Sequence, residues 1–183
     1  MWKAFGLGSA VLVGDALLAL AVDTLARAPD TALRHLSDTL VELVLGQADD
    51  LAFESRPWTG PQAVTLEEYE RMAARKTGSL TGCAAALGAV LAGVPQPLVA
   101  RMAAMGRRLG LAYQAVDDLL GLWGDPRATG KPVHNDLRRD KKTLPVPAAL
   151  TSGGDAAAEL AALLAGPEPA APHVIAALTE RTR

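Results

Sequence analysis

Apolar positions crowd the start of the chain. From about Phe5 to Arg27 they occupy nearly every side of a helix, a pattern that belongs in a protein interior. Pro29 and Asp30 interrupt it. Leu33, Leu36, Leu40, Leu43 and Val44 then recur at helical spacing, with Thr31 placed as a cap and the helix predicted to run to about Glu54. Arg56-Pro57-Trp58-Thr59-Gly60-Pro61 reads as a loop. Thr65-Leu66-Glu67-Glu68 has the capping-box pattern and opens a helix predicted to reach Gly93. Gly78, Gly82 and Gly88 inside it each cost helix stability, which points to close helix packing or room for a ligand. Pro95 and Pro97 open a further long helix that Gly124-Asp125-Pro126 stops near Trp123. Arg127 to Lys142 is a polar loop of functional length. A short helix is predicted over Leu144–Leu150, a break at Gly153-Gly154, and two Ala-rich helices split by Gly166-Pro167-Glu168-Pro169. There is no repeat and no alternating strand pattern, so the expected fold is all-α, built on long helices. The expectation is one domain over 1–183, with 153–183 as its helical tail.

Composition narrows the function classes. The chain has 183 residues, 50% of them hydrophobic and 4% aromatic, which favours helices over a β-sandwich. Eighteen Lys+Arg against twenty Asp+Glu give a formal charge of −2, which supplies no general attraction to nucleic acid. The lone Cys83 excludes an internal disulfide framework and a multi-cysteine zinc site, and reads as a packing residue. Lys3, the apolar run after it and Ala19-Leu20-Ala21 resemble a secretion signal. Gly14-Asp15 would lie inside the apolar region, however, and an ionised Asp is costly in hydrocarbon. A signal peptide and a membrane span both read poorly, so a cytoplasmic chain is expected.

The sharpest chemical feature is Tyr113-Gln114-Ala115-Val116-Asp117-Asp118. Two adjacent carboxylates sit on an otherwise apolar helix, and buried carboxylates need a partner or a cation. A hard cation such as Mg²⁺ takes one or two carboxylates plus phosphate oxygens and water. Gln114 and Asp118, four residues apart, share a helix face. Taken alone, the pair fits two helix-end acids in water better, since such short matches are common. Gly46-Gln47-Ala48-Asp49-Asp50-Leu51 puts Gln47 and Asp50 on one face, again with a solvated helix end as the plain alternative. Lys76-Thr77-Gly78 sets a cation and a hydroxyl before a glycine; Lys76 suits a phosphate, or snorkels to the surface. The loop from Gly130-Lys131 to Lys141-Lys142-Thr143 brings many cations next to the carboxylate helix, and metal plus lysines is the combination that holds a diphosphate.

In order and spacing these motifs resemble the trans-polyprenyl diphosphate synthase family of all-helical isoprenoid synthases, over about residues 1 to 150. The resemblance implies the C-terminal portion of that helical bundle. It implies that Asp117 and Asp118 act as the second aspartate-rich motif, holding Mg²⁺ on an allylic diphosphate. Lys76, Lys131 and Lys141 are then the lysines that grip the diphosphate. Thr77 and Gln114 turn their oxygens toward the allylic cation, and Gln47 and Asp50 line the same cavity. The implied reaction ionises an allylic diphosphate and joins the cation to isopentenyl diphosphate, in a homodimer or heteromer.

Two departures stand out. Gly121 occupies the position of the motif's third aspartate, and Asp125 lies beyond a helix break. The family's first aspartate-rich motif has no counterpart here. A truncated or mis-started synthase is the leading expectation; a non-catalytic partner subunit and a related terpene cyclase are the alternatives. His35, His134 and His173 are scattered and receive no role.

Overall fold

The structure, a computed structural model, describes residues 2–168 and 170–182, so Pro169 of the expected Gly-Pro break lies outside it. All regular elements among those residues are helical. They are α1 (Trp2–Phe5), α2 (Leu7–Leu25), α3 (Asp30–Glu54), α4 (Leu66–Ala73), a π-helical turn (Ala74–Gly78), α5 (Ser79–Leu91), α6 (Gln96–Trp123), α7 (Pro126–Thr129), a 3₁₀ turn (Leu137–Arg139), α8 (Pro145–Thr151), α9 (Gly154–Leu164) and α10 (Pro172–Glu180).

Local chemistry sets several boundaries. At α4 the capping box is complete: the Glu68 N–H donates to Thr65 Oγ1 at 3.1 Å, and the Thr65 N–H donates to Glu68 Oε2 at 2.9 Å. Thr31 does not cap α3; the helix begins at Asp30, with Pro29 as its cap residue. The first predicted helix is divided at Gly6, whose φ of 82° only glycine adopts readily. The polar loop after Trp123 contains α7 and the 3₁₀ turn. Asp125 does not prolong α6 but caps α7, accepting from the Arg127 N–H at 2.8 Å.

Three small cores hold the bundle. α5 and α6 run antiparallel and touch along glycines. A Cβ placed on Gly110 would lie 2.8 Å from the Gly78 Cα, and one on Gly82 would lie 3.0 Å from the Ala103 carbonyl. Gly88, by contrast, faces open space. Phe53, Val64, Tyr69, Met72 and Ala73 join the end of α3 to α4. Leu122, Leu137, Val146, Leu160, Ile175 and Leu178 join the end of α6 to α8, α9 and α10, so the C-terminal helices share a core with the long ones.

The apolar α2 does not lie in an interior among the described residues. None of its residues is buried; Leu7, Leu12 and Leu17 are 72%, 69% and 60% exposed. It is long and apolar enough to cross a membrane, with mean hydropathy 1.6, although Asp15 lies within it. Exposed apolar side chains continue on α3 (Val41, Val44) and α6 (Leu109, Tyr113, Val116).

Candidate active site

Asp118, 5% exposed, organises the centre. Its Oδ2 accepts from the Tyr69 hydroxyl at 2.5 Å and from the Leu144 N–H at 2.9 Å, and its Oδ1 accepts from Gln114 Nε2 at 2.8 Å. Burial pushes its carboxyl above the ordinary value against these three donors, and the charge of Asp136 adds to the push. Burial and the Asp118 charge drive the Tyr69 phenol far upward, so it remains a protonated donor. Gln114 is oriented by its partners: with its nitrogen on Asp118, its Oε1 accepts from Thr77 Oγ1 at 2.6 Å.

Lys76 and Thr77 sit in the π-helical turn, a local widening that re-aims side chains and recurs at functional sites. α3 approaches this turn at Gly46, where a Cβ would lie 2.5 Å from the Lys76 backbone nitrogen. One helical turn further on, Asp50 Oδ2 accepts from Lys76 Nζ at 2.6 Å and from Lys141 Nζ at 3.0 Å. Burial opposes the Asp50 charge, but the two ammonium groups outweigh it and hold the carboxyl below its ordinary value. At the rim, Lys131 Nζ donates to Asp117 Oδ1 at 2.6 Å, which raises the pKa of this exposed lysine.

These groups line a cavity of about 170 Å³ formed by Asp50, Tyr69, Met72, Lys76, Gln114, Asp117, Asp118, Asp136, Lys141, Lys142 and Thr143. A second cavity of about 200 Å³ adjoins it through Asp117 and Asp136, with Gly121, Lys131, Pro132 and Asn135 completing its wall. A larger cleft of about 490 Å³ between Trp58 and the C-terminal helices lacks any such convergence of lysines and carboxylates. Among the described residues, no group of three or more His, Cys, Asp or Glu converges as a metal cage.

The polyprenyl synthetase family model matches residues 1–181. The chain belongs to the polyprenyl synthetase family. It is 48% identical to a geranylgeranyl diphosphate synthase of Mycobacterium tuberculosis over 172 residues, covering 91% of this chain and 48% of that protein. It is 44% identical to a (2E,6E)-farnesyl diphosphate synthase of Mycobacterium bovis over 187 residues, covering 98% and 51%. The structure superposes on the polyprenyl synthetase of Streptomyces coelicolor A3(2) with TM-score 0.82 at 40% identity, covering 99% of this chain and 56% of that one. A polyprenyl synthase of Caulobacter crescentus, solved with calcium and isoprenyl diphosphate, gives TM-score 0.85 at 27% identity, covering 99% and 55%. The chain thus spans about half the length of the curated relatives it matches. The fold is that of the all-α isoprenoid synthases.

Within this family fold, Asp50, Lys76, Gln114, Asp117, Asp118 and Lys141 meet at one cavity. Thr77 joins them through Gln114, and Lys131 stands at the rim. Gln47 does not join them; it is exposed on α3 and is not part of the cavity wall. Sequence reasoning missed Tyr69 and Asp136. A Tyr on the apolar face of a helix reads as core, and its only signal was a position seven residues before Lys76. Asp136 belongs to the Asn135-Asp136-Leu137 stretch of the charged loop that carries the resemblance, but nothing in that stretch assigned it a role of its own.

Proposed function

We propose that this chain forms the diphosphate-holding half of a trans-prenyl diphosphate synthase. Such an enzyme lengthens an allylic diphosphate with isopentenyl diphosphate. The observation that carries the reading is the pair of lysines, Lys76 and Lys141, held on one oxygen of Asp50 in a cavity shared with Gln114 and Asp118, with Thr77 joined to it through Gln114. Asp50 stores the two cations in place until the diphosphate supplies a stronger anionic partner. When the allylic C–O bond breaks, the electron pair leaves on the diphosphate, where Lys76, Lys141 and the rim Lys131 stabilise the added charge. Thr77 Oγ1 and Gln114 Oε1 present fixed oxygen dipoles to the positive carbon fragment. The double bond of isopentenyl diphosphate attacks that fragment, a carbon–carbon bond forms, and a proton is lost. The products are the longer diphosphate and inorganic pyrophosphate.

The donor chemistry fits Mg²⁺. Among the described residues, Asp117 is engaged by the exposed Lys131 alone, and one or two carboxylates suffice when phosphate oxygens complete the shell. Mg²⁺ held by Asp117 and Asp118 would neutralise part of the leaving group's charge. Asp118, braced by Tyr69, Gln114 and Leu144, keeps that corner of the cavity fixed. A cytoplasmic location and an oligomeric assembly are part of the same proposal.

The test uses the protein isolated from its source cells with whatever chains accompany it. Its intact mass, against 19.0 kDa for this chain, decides whether these residues belong to a longer polypeptide. Incubation with labelled allylic and isopentenyl diphosphates should give a longer linear diphosphate, abolished by chelator and restored by Mg²⁺. Cyclic hydrocarbon would replace elongation with cyclisation. Absence of turnover until a catalytic homologue is added would assign a partner-subunit role.

A further inference from the structure

The chain carries two consecutive lysines, Lys141 and Lys142, and they do different things. Lys141 reaches Asp50. Lys142 is 4% exposed, and its ammonium is engaged elsewhere. It lies 4.2 Å from the centroid of the Trp58 ring, donates to the Asp140 carbonyl at 2.7 Å and reaches the Glu54 carbonyl at 3.4 Å. Glu54 ends α3, so a cation meets the negative end of that helix. Asp50 and Glu54 are one helical turn apart, so the two lysines fasten the loop at two successive points along α3.

The loop turns at Asp140, whose φ of 53° is left-handed. Backbone hydrogen bonds from the Asp140 N–H to the Leu137 carbonyl (3.1 Å) and from the Lys141 N–H to the Asp136 carbonyl (3.0 Å) brace the turn itself but do not tie it to α3. The next four residues carry Lys141 to Asp50, Thr143 to the cavity wall and the Leu144 N–H to Asp118. A lysine stem is flexible, so a fixed backbone lowers the ordering cost of bringing the Lys141 ammonium to its anionic partner.

We propose that Lys142 is a positioning residue, whose ammonium, clamped between the Trp58 ring and the carbonyls of Glu54 and Asp140, fixes the segment that presents Lys141 to the diphosphate. The proposal rests on the diphosphate-binding reading of the cavity. It makes Trp58, which is not part of the cavity wall, matter for binding within it.

The experiment is calorimetric titration of the full native protein with inorganic pyrophosphate and Mg²⁺. It compares wild type with K142M, W58L, K142R, K141M and the K141M/K142M double variant, each checked for helix content by circular dichroism. K142M and W58L are expected to weaken binding about tenfold, mid-range for coupled neighbours. K142R, which keeps a stacking cation, should stay within about twofold of wild type. The double variant should bind no more weakly than K141M, because Lys142 acts through Lys141. If K142M loses its helix content, W58L and K142R still decide the matter. Unchanged affinity in K142M and W58L overturns the proposal. So does full additivity of the two lysine variants, which would mean that Lys142 contacts phosphate itself. Loss of pyrophosphate binding in the wild type would overturn the diphosphate reading, and this inference with it.

Discussion

Gly46→Ala should damage catalysis much more than stability, and the geometry gives the size of the effect. A Cβ at position 46 would lie 2.5 Å from Lys76 N, 2.8 Å from Arg75 Cβ and 2.9 Å from Arg75 C. Backbone atoms and a Cβ cannot swing aside. An ordinary contact begins near 3.4 Å, so α3 and the π-helical turn must separate by about 0.9 Å. Overpacking of this kind costs about 1–3 kcal/mol, and replacing a mid-helix glycine by alanine returns about 1 kcal/mol. The net loss should be about 1 kcal/mol. The same displacement moves the backbone that carries Lys76 relative to α3, so the flexible Lys76 stem must re-extend to keep its 2.6 Å bond to Asp50, and Thr77 and the rest of the turn shift with it. Misplacing a reacting group by about 1 Å can cost about 100-fold in rate.

The assay pairs urea unfolding with steady-state prenyl transfer by the native protein. Gly88→Ala serves as the control: it lies in α5, is exposed and has no atom near its added Cβ. That variant should gain up to about 1 kcal/mol and keep its turnover. Gly46→Ala should lose about 1 kcal/mol and between about tenfold and 100-fold in kcat/KM. If Gly46→Ala matched Gly88→Ala in both measurements, the contact between α3 and the π-helical turn would not position Lys76, and the reasoning would fail.

Three further outcomes follow from the same geometry. Tyr69→Phe removes a donor from the buried Asp118 and should cost about 1–3 kcal/mol in urea unfolding at neutral pH; no change would mean that another donor replaces it. Asp50→Asn leaves Lys76 and Lys141 without their shared anion. Because the two lysine side chains are 23% and 18% exposed, the loss should be about 2 kcal/mol, below the 3–5 kcal/mol of a fully buried pair, and thermal melting reads it. Hydrogen bonds from Arg56 hold the Glu68 carboxyl at about 2, against an ordinary 4.5. The stability from this depressed carboxyl is complete above about pH 4.5 and disappears as pH falls toward 2. Urea midpoints taken between about pH 5 and about pH 3 should therefore fall less steeply in Glu68→Gln than in wild type.

What was legible in the sequence was local or ordered. The Thr65 capping box needs four residues and no tertiary partner, and it forms as read. The motif order identified the family because several short signals kept their sequence positions. Features that depend on a change of register were hidden. A π-helical turn shifts the hydrogen-bond partner by one residue, and no apolar period announces it; yet it carries Lys76 and Thr77. Helical spacing put Gln47 beside Asp50 on one face, but a face is wide, and only Asp50 reaches the cavity. The apolar pattern of α2 states a preference for burial without naming the surface that satisfies it.

Gly121 shows why a linear motif and a site can disagree. Counted along α6, the acids stop one short, and the gap suggests a weakened cluster. In space another segment comes up to that position: Asp136 Oδ2 lies 3.2 Å from where a side chain at 121 would begin. The loop is pinned beside that point, since the His134 N–H donates to the Gly121 carbonyl at 2.8 Å. A carboxylate at 121 and the one on Asp136 would crowd the same volume with like charge, next to an Asp118 that burial already pushes upward. Glycine at 121 therefore leaves the room that Asp136 occupies, although Asp117, Asp118 and Asp136 do not converge as a three-acid cluster among the described residues.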